Sequence, residues 1–219
     1  MKIPPGALIP IRQHYQLSDR RGIEIGMKGK PIIVVTGTPG VGKTTVSSCL
    51  AIGLKAVHLD LAEIVKKNKF YCNRDPQRKT FIVDIERLTE NVEKRLKNAS
   101  SGIIVSGHYA MDVISPRYNV KAFVLRCDPQ ELKKRLEKKG FGPGKVSENV
   151  QAEILDICFS DAAAVYGEDK VYQIDVTKKS IAEVSTEIQD LLENKIMPEK
   201  KVDWLGKLEA LGILDDFFR

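Results

Sequence analysis

From Pro31 to about Asn194, short apolar runs alternate with longer stretches in which apolar residues recur at helical spacing. Ile32 to Thr36 is apolar and rich in β-branched residues, as in a strand buried on both faces of a parallel sheet. Similar runs cover Ala56–Leu59, Gly102–Ser106, Lys121–Arg126 and Lys170–Ile174. Between them, helical patterns cover Lys43–Leu54, Asp60–Lys67, Asp84–Lys97, Pro129–Lys139, Ser147–Val165 and Ser180–Asn194. Alternating strands and helices predict an α/β fold, a doubly wound parallel sheet.

The two ends read differently. Residues 1–30 hold Pro4-Pro5, Pro10 and mixed charges without a clear period, so they read as a loosely ordered extension. The body spans 31–196. Residues 197–219 carry the polar break Pro198-Glu199-Lys200-Lys201, then Trp204, Leu208, Leu211, Leu214 and Phe217 on an amphipathic tail. That tail is either a helix docked on the body or a partner-binding segment.

Length and composition narrow the class. With 219 residues, the chain is long enough for one domain with appendages. Its apolar runs are strand-sized and none approaches a membrane span. The N-terminus lacks a signal-peptide pattern, so a cytoplasmic location is expected. A net charge of +6 suits polyanionic ligands from nucleotides to RNA, although a lysine-rich solvated surface gives the same value. No basic patch interleaved with aromatic residues marks an RNA-binding module. Cys49, Cys72, Cys127 and Cys158 have no C-x-x-C spacing, which points to neutral or buried thiols rather than a zinc site.

The strongest chemical signal is Gly37-Thr38-Pro39-Gly40-Val41-Gly42-Lys43-Thr44-Thr45, a full G-x-x-x-x-G-K-[ST] match between a predicted strand and helix. Gly37, Gly40 and Gly42 let the backbone turn tightly and aim its N–H groups at phosphates. The helix that starts there adds the positive end of its dipole. Lys43 is expected to reach the β- and γ-phosphates of ATP, Thr44 to supply a hydroxyl to Mg²⁺, and Thr45 to help at the α-phosphate.

With further segments, this loop resembles the adenylate kinase isoenzyme 6 (CINAP) family, and its archaeal members in particular. The matching segments are Thr36–Thr45, Ile82–Leu88, Ile104-Val105-Ser106-Gly107-His108, Phe123–Arg126, Arg135-Leu136 with Lys139-Gly140-Phe141, Glu148-Asn149 and Ala152-Glu153-Ile154. The resemblance implies a P-loop NTPase with a five-stranded parallel sheet, an insert for a nucleoside monophosphate at about 58–84 and a short lid at about 138–148. It implies phosphoryl transfer from ATP to AMP, and ATP hydrolysis linked to maturation of the small ribosomal subunit with a platform protein as partner. Thr177 and Lys178 would lie against adenine. Arg74, Arg78 and Arg87 are candidates for the acceptor side, with a structural salt bridge as the simpler role for Arg87.

Two positions depart from the family pattern. Ser106 stands where the family usually has a Mg²⁺-anchoring aspartate, so Ser106 would act only indirectly and Asp84 or Asp112 would have to compensate. Lys139 stands where the family has a lid arginine and gives charge without a planar fork. Lys138, Lys139 and Lys145 would cover the phosphates, or form an ordinary basic loop. His108 is either a water-positioning group or general base, or a structural histidine in the turn after a central strand. Arg126 is a further candidate cation at a strand end. A nucleotide-dependent switch or binding protein with little kinase activity is the alternative reading.

Overall fold

The structure, a computed structural model, describes residues 8–10, 31–75, 80–198 and 201–218. In chain order the elements begin β1 (Leu8–Pro10), β2 (Ile32–Gly37), α1 (Lys43–Leu54), β3 (Val57–Asp60), α2 (Leu61–Asn68), β4 (Tyr71–Asp75) and β5 (Thr80–Val83). They continue α3 (Ile85–Lys97), β6 (Ile103–Ser106), α4 (Ala110–Val113), β7 (Val120–Arg126), α5 (Pro129–Lys138) and α6 (Pro143–Ile154). The last are α7 (Ile157–Tyr166), β8 (Val171–Asp175), α8 (Ile181–Leu192) and α9 (Trp204–Ala210).

Five of these strands form one parallel sheet in the order β3-β6-β2-β7-β8. β2 is its central strand, and all six of its residues are buried. Side chains alternate across a strand, so Ile32 and Val34 pack on one face while Ile33 and Val35 pack on the other. The first face is covered by α2, α3, α4 and α7, through Leu61, Leu88, Tyr109 and Phe159 among others. The second is covered by α1, α5, α6 and α8, through Leu50, Leu132, Val150 and Ile188. This is the doubly wound architecture that the alternating pattern predicts. β2 connects through α1 to β3 on one side of it, and β6 connects through α4 to β7 on the other; the crevice at the carboxyl ends of the strands is where such folds bind ligands.

The expected insert at 58–84 consists of α2 and an antiparallel hairpin of β4 and β5. A small second sheet forms there, because β1 pairs in parallel with β5, Leu8 opposite Phe81. The expectation of a loosely ordered extension therefore fails at Leu8–Pro10; the rest of residues 1–30 lies outside the described residues. At the expected lid, α5 ends at Lys138 and α6 begins at Pro143, so only residues 139–142 connect the two helices.

The single helix expected over Ser147–Val165 is two helices. Asp156 adopts a left-handed backbone with φ 57° and separates α6 from α7. Its carboxylate is held by Arg126 and by Gln173 Nε2 at 3.0 Å, contacts that compensate for the broken helix. The tail docks on the body, as one of its two readings expects: Trp204 and Leu208 are buried, and Ile213, Leu214 and Phe217 pack on the second face. Among the described residues, no helix is long and apolar enough to cross a membrane.

Candidate phosphate-binding site

The loop between β2 and α1 is closed tightly against the body. Gly37 has φ 133°, and a Cβ there would meet the Leu125 carbonyl oxygen at 2.4 Å. Only glycine meets both conditions. Gly42 caps α1 at φ 105° with no side-chain capping bond, so the first-turn N–H groups of α1 are directed into the loop. Lys43 Nζ donates to the carbonyls of Gly37 at 2.7 Å and Thr38 at 3.0 Å, folding its side chain across the cradle. Burial pulls the Lys43 ammonium down to about 8; Cys158, Asp60 and Glu153 counteract this, while the Lys139 charge adds to it. That coupling places Lys139, exposed at the end of α5, within electrostatic reach of the loop.

Thr44 is exposed at the start of α1, and its hydroxyl donates to Asp60 Oδ2 at 2.6 Å. Asp60 Oδ1 accepts from Glu63 N at 3.0 Å and so caps α2. A hydroxyl and a carboxylate side by side next to a phosphate cradle are the hard oxygen donors that suit Mg²⁺. Thr45 is exposed beside them.

Ser106, expected to act indirectly on the metal, pairs with a histidine side chain. It is 1% exposed, and its hydroxyl pairs with His58 Nε2 at 2.8 Å. The other ring nitrogen, Nδ1, lies 3.2 Å from Ser48 Oγ, and Ser48 in turn donates to the Thr44 carbonyl at 2.9 Å. Burial lowers the His58 pKa, opposed by Asp60 and Glu63. Asp60, the carboxylate beside Thr44, stands opposite Ser106 in the β3–β6 register. The proposed substitutes sit elsewhere. Asp84 caps α3 through Arg87 N at 3.1 Å and pairs with Arg87 Nε at 3.4 Å, while Asp112 is exposed on α4.

His108 lies half-buried in the turn just beyond β6, its ring 3.9 Å from that of Tyr109. The preceding Gly107 N donates to Val35 O at 3.2 Å, which fixes this turn beside the end of β2. Thr177 is bonded within the protein: its hydroxyl accepts from Asp128 N at 2.8 Å and its carbonyl from Arg135 Nη2 at 3.3 Å. Lys178 beside it is exposed. Arg74 falls in β4, and Arg78 lies outside the described residues.

Arg126 is not an open cation at a strand end. It is 1% exposed, with Nε 2.8 Å from Glu153 Oε1 and Nη1 bonded to Asp156. A guanidinium buried and paired in this way neutralises carboxylates inside the protein rather than phosphate outside it. Of the cysteines, Cys49, Cys127 and Cys158 are free thiols; burial pushes Cys127 up to about 12 and Cys158 up to about 11, so both are neutral.

Known proteins resemble the chain in sequence and in fold. An AAA-domain family model matches residues 33–156. A protein of Methanocaldococcus jannaschii named "Putative adenylate kinase" is 38% identical over 175 residues, covering 80% of this chain and 93% of its own length. The chain belongs to this family. A member from Methanothermobacter thermautotrophicus bearing the same name is 36% identical over 180 residues, covering 81% of this chain and 99% of its own length. Membership makes the chain an enzyme of the phosphotransferase class. Among solved structures, a shikimate kinase from Acinetobacter baumannii superposes with a TM-score of 0.53 at 19% identity, covering 77% of this chain and 97% of its own. A thymidylate kinase from Candida albicans gives 0.50 at 16% identity over 75% of this chain and 92% of its own, a likeness of fold.

Sequence reasoning missed Asp60 and His58. Asp60 was legible only as the first residue of a helix, a position it does cap, so its bond to Thr44 had no separate signal.

Proposed function

We propose that this chain is a nucleoside-monophosphate kinase that transfers the γ-phosphoryl group of ATP to AMP, giving two ADP. The observation that carries the reading is the glycine cradle crossed by Lys43 beside the Thr44–Asp60 pair, in a chain whose relatives bear an adenylate kinase name. In the reaction, an AMP phosphate oxygen bonds to the γ-phosphorus. The bond to the β,γ-bridging oxygen breaks, and ADP leaves.

The chain's own groups hold and orient the reactants, as this chemistry requires. Backbone N–H groups of the loop and the first turn of α1 bind the phosphates. Lys43 exchanges its two carbonyl contacts for phosphate oxygens, which also restores its full charge. Mg²⁺ would be held by Thr44 and Asp60, and when bound it neutralises phosphate charge. The insert, α2 with its hairpin, is the candidate acceptor pocket and water-excluding cover. Lys139 adds positive charge from the end of α5, and His108 orients an oxygen at the end of β6.

A second reading is supported by one observation. Only residues 139–142 join α5 to α6, a short cover for excluding water. A site so lightly covered suits hydrolysis, with His108 orienting water and the energy spent on a bound partner. The family resemblance suggests a small-subunit ribosomal protein for that role.

ADP formation by the purified protein, measured with Mg²⁺ and a panel of nucleoside monophosphates, separates the readings. The kinase reading expects turnover that requires AMP or a close analogue. Turnover indifferent to every acceptor would replace it with the hydrolytic one.

A further inference from the structure

Glu153 is 1% exposed, and its side chain collects donors from separate parts of the chain. Oε2 accepts the Thr38 hydroxyl of the phosphate loop. Oε1 accepts Arg126 Nε at 2.8 Å, Cys127 N at 3.0 Å and the Trp204 indole Nε1 at 3.3 Å. Thr38 is itself 1% exposed, and its carbonyl is one of the two that hold Lys43. A continuous hydrogen-bonded path therefore runs from the C-terminal tail to the phosphate-binding lysine: Trp204, Glu153, Thr38, Lys43.

The tail is seated on this cluster by more than the indole. Val202 N donates to Gln173 Oε1 at 2.7 Å, and Gln173 also holds Asp156, the second carboxylate on Arg126. Lys207 pairs with Asp128 at 2.9 Å, and Gln151 Nε2 donates to Phe217 O at 2.8 Å. Leu208 and Phe217 also pack the tail against the second face. A buried indole N–H needs an acceptor, but many would serve. The acceptor used here is the carboxylate that also orients the loop.

We propose that Trp204 is a positioning residue for the phosphate loop, acting through Glu153 on Thr38, so that tail docking and nucleotide binding are coupled. The proposal rests on the phosphate-loop reading of the site. The indole N–H shares Glu153 Oε1 with Arg126 Nε and Cys127 N, and so helps to hold the carboxylate whose other oxygen accepts from Thr38. Without it the carboxylate keeps Arg126 and Cys127 but loses its tie to the tail, so the Thr38 carbonyl and Lys43 are held less tightly. Coupling of this kind is reciprocal, so nucleotide in the loop must also be felt at Trp204.

Trp204 is the chain's one tryptophan, so its emission reports on the tail alone. The test is a fluorescence titration of the full chain with ATP, run beside calorimetry of the same binding. The expected result is a saturable emission change with the calorimetric Kd. In steady state, Trp204→Phe keeps an aromatic side chain but removes the donor, and should raise KM for ATP by about threefold or more with kcat unchanged. In the Thr38→Val background, Trp204→Phe should add nothing further, because its route is already cut. Should Trp204→Phe fail to fold, the titration of the unaltered chain still decides. ATP binding by calorimetry with flat emission, or a Trp204→Phe protein with unchanged KM, overturns the coupling and leaves the phosphate site intact. Absence of any ATP binding by calorimetry overturns the site reading itself, and the coupling with it.

Discussion

The Thr44 hydroxyl donates to Asp60 Oδ2 at 2.6 Å, which ties the first turn of α1 to the end of the edge strand β3. Ser106, in register with Asp60 on the neighbouring strand, is buried against His58 instead. The carboxylate beside the loop's threonine therefore comes from one strand further out than Ser106.

This arrangement separates two substitutions. Asp60→Asn removes the charge beside Thr44 and should raise the Mg²⁺ concentration for half-maximal activity by about tenfold. Ser106→Ala removes only the partner of His58 Nε2, so it should cost about 1 kcal/mol of stability and leave the Mg²⁺ requirement unchanged. Mg²⁺ titrations of both variants with urea unfolding alongside are the check; a Mg²⁺ defect confined to Ser106→Ala would reverse the assignment.

Lys43 gives a pH-dependent prediction. Lys43→Ala should lower kcat by about a hundredfold or more. With its ammonium pulled down to about 8 by burial, the free enzyme loses this charge as pH rises through that value. The ratio kcat/KM for ATP, which reports the free enzyme, should fall above pH about 8, while kcat holds to higher pH because bound phosphate restores the proton. Stability moves the other way. Between about 8 and the ordinary value of 10.5 the unfolded chain keeps the proton that the folded chain has lost, so this group makes stability rise with pH across that window. A flat kcat/KM profile to pH 10 would mean that Lys43 stays charged in the free loop (about the ordinary lysine range).

Arg126 should be needed for folding before it is needed for chemistry. Arg126→Met leaves the buried Glu153 and the half-buried Asp156 without this cation and should destabilise the protein by about 3 kcal/mol or more in urea. Full stability with a large loss of kcat would return Arg126 to the phosphate site.

How much of this was legible in the sequence follows from how local each feature is. The loop from Gly37 to Thr45 carries its own geometry, since its glycines, lysine and threonine are contiguous, and β2 and α1 flank it as the pattern predicts. A strand-end arginine, in contrast, reads the same whether it faces solvent or a buried carboxylate 27 residues away, so Arg126 was misplaced. The break at Asp156 was hidden for the same reason: apolar spacing continues through it, and only the contacts with Arg126 and Gln173 explain it. Pairing of Leu8–Pro10 with Phe81–Val83 joins segments far apart in the chain, which periodicity cannot signal.

Phosphoryl transfer itself is tested most directly by following the label of γ-³²P-ATP incubated with the protein, Mg²⁺ and AMP. The kinase reading predicts label in ADP, at a rate that Lys43→Ala abolishes. Label found only in inorganic phosphate, at a rate unchanged by omitting AMP, would contradict it.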